Sequence, residues 1–230
     1  MKKLVLANLK MYFNTIKDIQ NYLNELKDEK ENFIAFPPTI YLERFLNCGF
    51  TCGIQNISVH KEGAHTGEVS APSVSELGVQ YALIGHSEIR QAGESDELIN
   101  QKIKTALNHN LKVILCVGEN IEAYNQSKTK EIINDQISKA LKNIDEEIII
   151  SYEPVWAIGT GKTPTNNEIE DIVNYIKSLF NYDIKVLYGG SVSEKNIETL
   201  NQIKNVDGFL IGYAATIPSS LKKIIEVAQK

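Results

Sequence analysis

Short apolar runs recur along the whole chain, and each is followed by turn-forming residues and then by a helical pattern. The runs are rich in β-branched and aliphatic residues, which favours strands. We count eight of them, at 4–8, 32–36, 51–55, 81–85, 112–117, 148–152, 185–188 and 208–211. They are continuously apolar more than alternating, which is typical of parallel strands covered on both faces.

The stretches between the runs carry apolar residues at helical spacing, which predicts amphipathic helices with one face against a sheet. Thr165 and Glu168 have the spacing of a capping box at the start of one such helix. Three stripes are clear: Ile16, Ile19, Leu23 and Leu26; Ile133, Ile137, Ala140, Leu141 and Ile144; and Ile169, Ile172, Val173, Ile176, Leu179 and Phe180.

Alternating strands and helices predict parallel pairing with right-handed crossovers. Eight such units can close into a (β/α)₈ barrel, although the pattern alone also fits an open doubly wound sheet. We expect the closed barrel, in one domain over residues 1–230, because such barrels reach about 250 residues as a single unit. The side chains that carry chemistry then belong at the carboxyl ends of the strands.

The charge of the chain gives no general attraction for nucleic acid or anionic membranes, because its net value is −5. Neither is expected as a partner, and a phosphorylated ligand would need a local site. The first residues faintly resemble a secretory signal, but Asn8 and Lys10 interrupt the apolar stretch, so we interpret it as the first strand. No apolar run approaches the roughly 20 residues that span a bilayer.

The cysteines Cys48, Cys52 and Cys116 form neither an even disulfide framework nor a paired metal-binding motif. They favour buried free thiols in a reducing cytoplasm, and no metal site is expected from them.

Polar residues stand where three of the predicted strands end. Asn8 and Lys10 follow the first strand, His86 follows the fourth at a predicted helix start, and Glu153 follows the sixth. A neutral histidine there can donate a hydrogen bond to a carbonyl, and a partly buried carboxylate is a candidate base. Taken singly, Lys10 is better explained as an ordinary solvated lysine, whereas a structural histidine and an ion-paired rim glutamate explain His86 and Glu153 equally well.

Glycine-rich segments follow the last two strands, at 188–191 and 212–213, where backbone N–H groups can converge on a phosphate. The segment 154–164 has glycines at its centre and prolines at its ends, a composition that suits a lid. It ends in a partial nucleotide-binding motif, but Trp156 occupies the position of the required first glycine, so that interpretation is weak.

Five segments together resemble the triosephosphate isomerase family, and they follow the family's order over nearly the full chain. They are YEPVWAIGTGK at 152–162, IGHSE at 84–88, GAHTGE at 63–68, LCVGE at 115–119 and YGGSV at 188–192. The resemblance implies an isomerase that interconverts dihydroxyacetone phosphate and glyceraldehyde 3-phosphate through an enediolate, in glycolysis and gluconeogenesis, without a cofactor.

The resemblance also implies a role for each matching residue. Glu153 resembles the catalytic base, His86 the group that polarises the substrate carbonyl, and Lys10 the cation at the substrate, with Asn8 assisting at the oxyanion. The backbone N–H groups that bind the phosphate align with Gly159, Ser191, Gly212 and Tyr213. Thr66 lies on the loop that family members insert into a neighbouring subunit, so a homodimer is implied.

Four positions depart from the family's pattern without removing a catalytic side chain: Leu9 replaces tryptophan, His65 phenylalanine, Ile89 arginine and Tyr213 glycine. We expect Tyr213 to crowd the phosphate pocket. Ile89 changes ion pairing near the site and His65 changes the packing of the dimer loop.

Two other functions suit a phosphate-binding barrel. A sugar-phosphate aldolase would need a Schiff-base lysine or a metal cluster at the mouth, and neither is clearly placed. A binding or scaffold barrel would have lost the base, the electrophile or the cation, and all three are present.

Overall fold

The computed structural model describes residues 2–158 and 163–230. Its strands occupy all eight predicted positions, and four of the eight have the predicted bounds. The others are shorter by one to three residues, most of all the third. The strands are β1 (Leu4–Asn8), β2 (Ile34–Phe36), β3 (Gly53–Ile54), β4 (Tyr81–Ile84), β5 (Lys112–Val117), β6 (Ile149–Tyr152), β7 (Lys185–Tyr188) and β8 (Gly208–Ile211).

Helices follow the strands in alternation. Within the described residues they are α1 (Ile16–Leu26), α2 (Leu42–Asn47), α3 (Ala71–Glu76), α4 (Ser87–Gln91), α5 (Asp96–Asn108), α6 (Ile121–Asn125), α7 (Thr129–Ala140), α8 (Asn166–Ser178), α9 (Ile197–Leu200) and α10 (Pro218–Ala228). Short 3₁₀ helices cover Thr39–Tyr41, Val155–Ala157 and Tyr213–Thr216. None of the described helices is long and apolar enough to cross a membrane.

All strand pairs are parallel, in the order β2-β1-β8-β7-β6-β5-β4-β3. The ring closes between β2 and β3 through a bridge that pairs Ala35 with Cys52. The backbone N–H of Ala35 also donates to the carbonyl of Thr51 at 2.9 Å. The closed barrel is therefore confirmed, and the open doubly wound sheet is excluded.

The apolar core has two layers. Side chains from most of the strands fill the barrel, among them Leu6, Phe36, Leu83, Ile114, Cys116, Leu187 and Leu210. A larger layer lies between the strands and the helices. The buried faces of α1, α7 and α8 match the predicted stripes within those helices except at Ile16, which is 57% exposed at the first residue of α1. The remaining stripe residues lie beyond the ends of α7 and α8 and are partly buried: Leu141, Ile144, Leu179 and Phe180.

The start of α8 confirms the predicted capping box. The Thr165 side chain accepts from the backbone N–H of Glu168, and the Glu168 side chain accepts from the backbone N–H of Thr165. The thiols also follow the expectation in part: Cys52 and Cys116 are free and buried, whereas Cys48 is free and exposed.

Candidate active site

A cavity of about 530 Å³ opens at the carboxyl ends of the strands. Seven of the predicted site residues line it: Asn8, Lys10, His86, Glu153, Ser191, Gly212 and Tyr213. Gly159 lies outside the described residues. Thr66 is exposed on its loop and is not among the residues that line the cavity.

Lys10 is held in an unusual backbone conformation directly after β1. Its φ angle is +47°, in the left-handed region, which costs a non-glycine residue on the order of 1–3 kcal/mol. Its N–H donates to Asn8 Oδ1 at 3.1 Å, and its carbonyl accepts from Gln55 Nε2 at 2.9 Å. Its Nζ lies 2.7 Å from Glu88 Oε1. Asn8, Gln55 and Glu88 therefore aim the ammonium group into the cavity.

His86 occupies the N-cap position of α4, which begins at Ser87 as the sequence predicts. Its Nδ1 accepts a hydrogen bond from the backbone N–H of Glu88 at 3.3 Å. A ring nitrogen that accepts carries no proton, so in this arrangement the imidazole is neutral and its proton is on Nε2. That donor faces the cavity.

The Glu153 carboxylate is buried, with the residue only 2% exposed. Its Oε2 accepts from the backbone N–H of Ser87 at 3.3 Å. Its Oε1 has no hydrogen-bond partner within the described residues and lies 3.7 Å from His86 Nε2. A buried oxygen without a donor is suited to take a proton from a ligand in the cavity.

Gly189, on the neighbouring strand end, makes room for this carboxylate. A Cβ atom at this position would lie 2.8 Å from Glu153 Cγ and 2.7 Å from Ser151 Oγ, closer than real Cβ contacts. The glycine is therefore required by the position of the base.

The loop after β7 is fixed by Asn196, a residue that sequence reasoning missed. Asn196 Nδ2 donates to the carbonyl of Ser191 at 2.8 Å, and Asn196 Oδ1 accepts from the backbone N–H of Ser193 at 2.8 Å. The Ser191 hydroxyl donates to the carbonyl of Ala157. The loop after β7 is thus joined to the segment that follows Glu153.

Tyr213 lines the cavity, but the residue is 63% exposed and its ring packs edge-to-face on Tyr12, with ring centroids 5.5 Å apart. The phenol therefore forms part of the rim of the cavity next to the loop after β1.

A buried carboxylate lies beneath the segment that carries the base. Glu119 Oε1 accepts from Trp156 Nε1 at 2.8 Å and from the Tyr152 hydroxyl at 3.3 Å. The backbone carbonyl of Glu119 accepts a hydrogen bond from the backbone N–H of Val155 at 3.0 Å. Desolvation raises the pKa of Glu119 above its ordinary value. The sequence signal for this residue is its position directly after β5, in LCVGE.

The other departures lie away from the reacting groups. Leu9 is fully buried in the outer core layer. Ile89 lines a second cavity of about 530 Å³, beside an ion pair between Lys102 and Glu94. His65 stacks on His60 with ring centroids 3.6 Å apart.

Comparison with known proteins agrees with this geometry. The family model of triosephosphate isomerase matches residues 3–228. The chain belongs to the triosephosphate isomerase family. Family membership confirms the resemblance found in the sequence, and the barrel is the fold expected from it.

Curated relatives match over nearly the full length. A triosephosphate isomerase of Thermoanaerobacter pseudethanolicus is 34% identical over 97% of this chain and 98% of its own. One of Malacoplasma penetrans is 36% identical over 99% of both chains. One of Mycoplasmoides gallisepticum is 38% identical over 98% of both chains.

Proposed function

We propose that the chain is an isomerase that interconverts dihydroxyacetone phosphate and D-glyceraldehyde 3-phosphate, as a step of glycolysis and gluconeogenesis. The observation that carries the proposal is the unpartnered Glu153 oxygen 3.7 Å from His86 Nε2 in a cavity of small-molecule size. The family match supports the same reaction.

Glu153 is the base in this proposal. Its carboxylate removes a proton from the carbon next to the substrate carbonyl and returns it to the neighbouring carbon, while the hydroxyl proton passes from one substrate oxygen to the other. A positioned base typically accelerates a reaction ~10²- to 10⁴-fold. The rest of the rate must come from stabilising the enediolate that forms between the two transfers.

His86, Lys10 and Asn8 are the groups proposed to stabilise that intermediate. His86 Nε2 donates to the oxygen on which charge develops, the Lys10 ammonium supplies a positive charge, and the Asn8 amide assists. Loss of one such donor typically costs about 10²- to 10³-fold in rate. The hydrogen bonds that hold His86 and Lys10 keep both groups oriented before substrate binds.

The phosphate is proposed to bind at the ends of β7 and β8, to the backbone N–H groups of Ser191, Gly212 and Tyr213. Gly159 stays a prediction because it lies outside the described residues. Removal of water from the closed site would limit loss of phosphate from the enediolate.

A homodimer is also proposed. A cavity of about 380 Å³, lined by Lys10, Met11, Tyr12, Gln55 and Glu88, lies beside the active site, and Met11 is 87% exposed there. A second copy's loop around Thr66 would cover the exposed Met11 side chain at this cavity. Sedimentation at micromolar concentration tests the dimer, and a monomer would contradict it. The cytoplasmic location and the single domain over 1–230 stay predictions.

The reaction is tested with a coupled spectrophotometric assay in which glyceraldehyde 3-phosphate is supplied. The dihydroxyacetone phosphate that forms is reduced with NADH by a coupling enzyme, and the loss of NADH absorbance measures the rate. We expect turnover, with a rate ~10²- to 10⁴-fold lower in a matched preparation of Glu153→Gln. A folded wild-type protein without activity above buffer would reject the proposal. Binding of a triose phosphate without turnover would favour a scaffold barrel instead.

A further inference from the structure

We propose that Tyr124 is a positioning residue for the isomerase reaction, because it joins the segment that carries Glu153 to the start of α8. The inference rests on the proposed function for its effect on turnover. The contacts of Tyr124 do not depend on that function. They join described residues that precede and follow 159–162.

The first contact of Tyr124 is with Trp156, three residues after the base. The two ring centroids are 4.3 Å apart and the ring planes are tilted by 36°. The edge of the same indole donates from Nε1 to Glu119 Oε1 at 2.8 Å. Trp156 is thus held on its face by Tyr124 and on its edge by Glu119.

The second contact of Tyr124 is with the capping box of α8. Its hydroxyl donates to Glu168 Oε1 at 2.8 Å. Glu168 Oε2 accepts from both the backbone N–H and the hydroxyl of Thr165, each at 2.7 Å. One carboxylate therefore caps the helix and holds Tyr124, and these hydrogen bonds lower the pKa of Glu168.

Tyr124 can transmit position because its own helix is anchored next to Glu119. Asn120 is the N-cap of α6, and its Oδ1 accepts from the backbone N–H of Ala123 at 2.9 Å. Glu119 directly precedes this N-cap and Tyr124 lies within α6. Both residues contact Trp156.

The backbone between Trp156 and the base is short and hydrogen-bonded. The N–H of Ala157 donates to the carbonyl of Pro154 at 2.8 Å, and the N–H of Val155 donates to the carbonyl of Glu119 at 3.0 Å. A shift of the indole is consequently transmitted to Glu153. Because a misplacement of about 1 Å can cost 10²-fold in rate, a partial shift is expected to lower kcat measurably.

The test compares two substitutions at one position. Tyr124→Phe keeps the aromatic contact and removes the hydrogen bond to Glu168, whereas Tyr124→Leu removes both. Tyr175→Phe is the matched control, since Tyr175 lies on α8 and contacts Lys130 on the helix surface. Trp156 is the single tryptophan of the chain, so fluorescence excited at wavelengths that the ten tyrosines do not absorb reports on it alone.

We expect kcat to fall in the order wild type, Tyr124→Phe, Tyr124→Leu, by roughly tenfold at the last, with KM changed less than about twofold. The emission of Trp156 should move to longer wavelength in Tyr124→Leu and stay near the wild-type value in Tyr175→Phe. Wild-type kcat and emission in a folded Tyr124→Leu variant would overturn the proposal, as would an equal loss of kcat in Tyr175→Phe. The fluorescence comparison needs no turnover, so it distinguishes failure of this inference from failure of the proposed reaction.

Discussion

Ser87 and Glu88, the first two residues of α4, use consecutive backbone N–H groups to orient the two reacting side chains. The N–H of Ser87 donates to Glu153 Oε2, and the N–H of Glu88 donates to His86 Nδ1, both at 3.3 Å. One helix start therefore sets the position of a carboxylate from β6 and of an imidazole from β4. N–H groups at the start of a helix have no partner within the helix, so they are available for this purpose.

Replacement of Glu153 by glutamine should lower kcat by ~10²- to 10⁴-fold while KM changes little, because the amide cannot accept the proton. Steady-state kinetics measure the effect. Glu122→Gln, at an exposed glutamate on α6, is the control and should keep wild-type kinetics. An unchanged kcat in Glu153→Gln would remove this residue from the role of base.

The protonation state of His86 can be measured directly. Because its Nδ1 accepts from Glu88, ¹⁵N NMR at neutral pH should show an unprotonated Nδ1 and a protonated Nε2. His86→Gln should lower kcat by about 10²- to 10³-fold through loss of the aligned donor. Protonation of both ring nitrogens at neutral pH would contradict the assigned tautomer.

Gly189→Ala should reduce kcat by up to about 10²-fold, since its Cβ would displace the side chain of Glu153. Gly208→Ala provides the contrast, because its Cβ would lie 2.3 Å from the backbone oxygen of Leu4, away from the catalytic groups. It should lower the melting temperature while the folded fraction keeps its kcat. Normal kcat in Gly189→Ala would mean that the base does not need this space.

The stability of the fold should depend on pH through Glu168. Hydrogen bonds from Thr165 and Tyr124 hold its pKa below the ordinary value of 4.5, so the ionised form is favoured in the folded state. This contribution is present above 4.5 and is lost as the pH falls through the lowered pKa of the folded protein.

Glu168→Gln should therefore destabilise the protein at pH 7 and much less at pH 3, as measured by urea unfolding. We expect about 0.5 kcal/mol at neutral pH, within the usual effect of a negative charge near a helix start. The difference between variant and wild type is the quantity to compare, because the raised pKa of Glu119 changes the stability of both proteins in the opposite direction at pH values above 4.5. An equal difference at both pH values would argue against the ionised cap.

The barrel could be predicted from the sequence because each strand is marked by residues next to one another in the chain. Runs of apolar residues mark buried parallel strands, and the polar residues that end those runs mark the mouth, which is how Lys10, His86 and Glu153 were found. The shortest strand, β3, was predicted too long, since its length depends on pairing across the barrel closure and not on its own composition.

The residues that hold the site in place were harder to predict. Gln55 contacts Lys10 across 45 positions, and Tyr124 contacts Glu168 across 44. Such pairs follow from how neighbouring loops meet, which no periodicity in the chain encodes. The left-handed backbone conformation of Lys10 could not be predicted from the sequence either, because lysine has no preference for it.

The narrow junction between β2 and β3 gives the protein a chemical reporter of barrel opening. Cys52 pairs with Ala35 at that junction, and burial raises the pKa of its thiol to about 12, so it is almost entirely unreactive while the ring is intact. Cys48, four residues earlier and exposed, reacts whether or not the ring is closed. The labelling rate of Cys52 therefore measures how often the barrel opens between β2 and β3. The labelling rate of Cys48 measures the reactivity of an exposed thiol in the same protein.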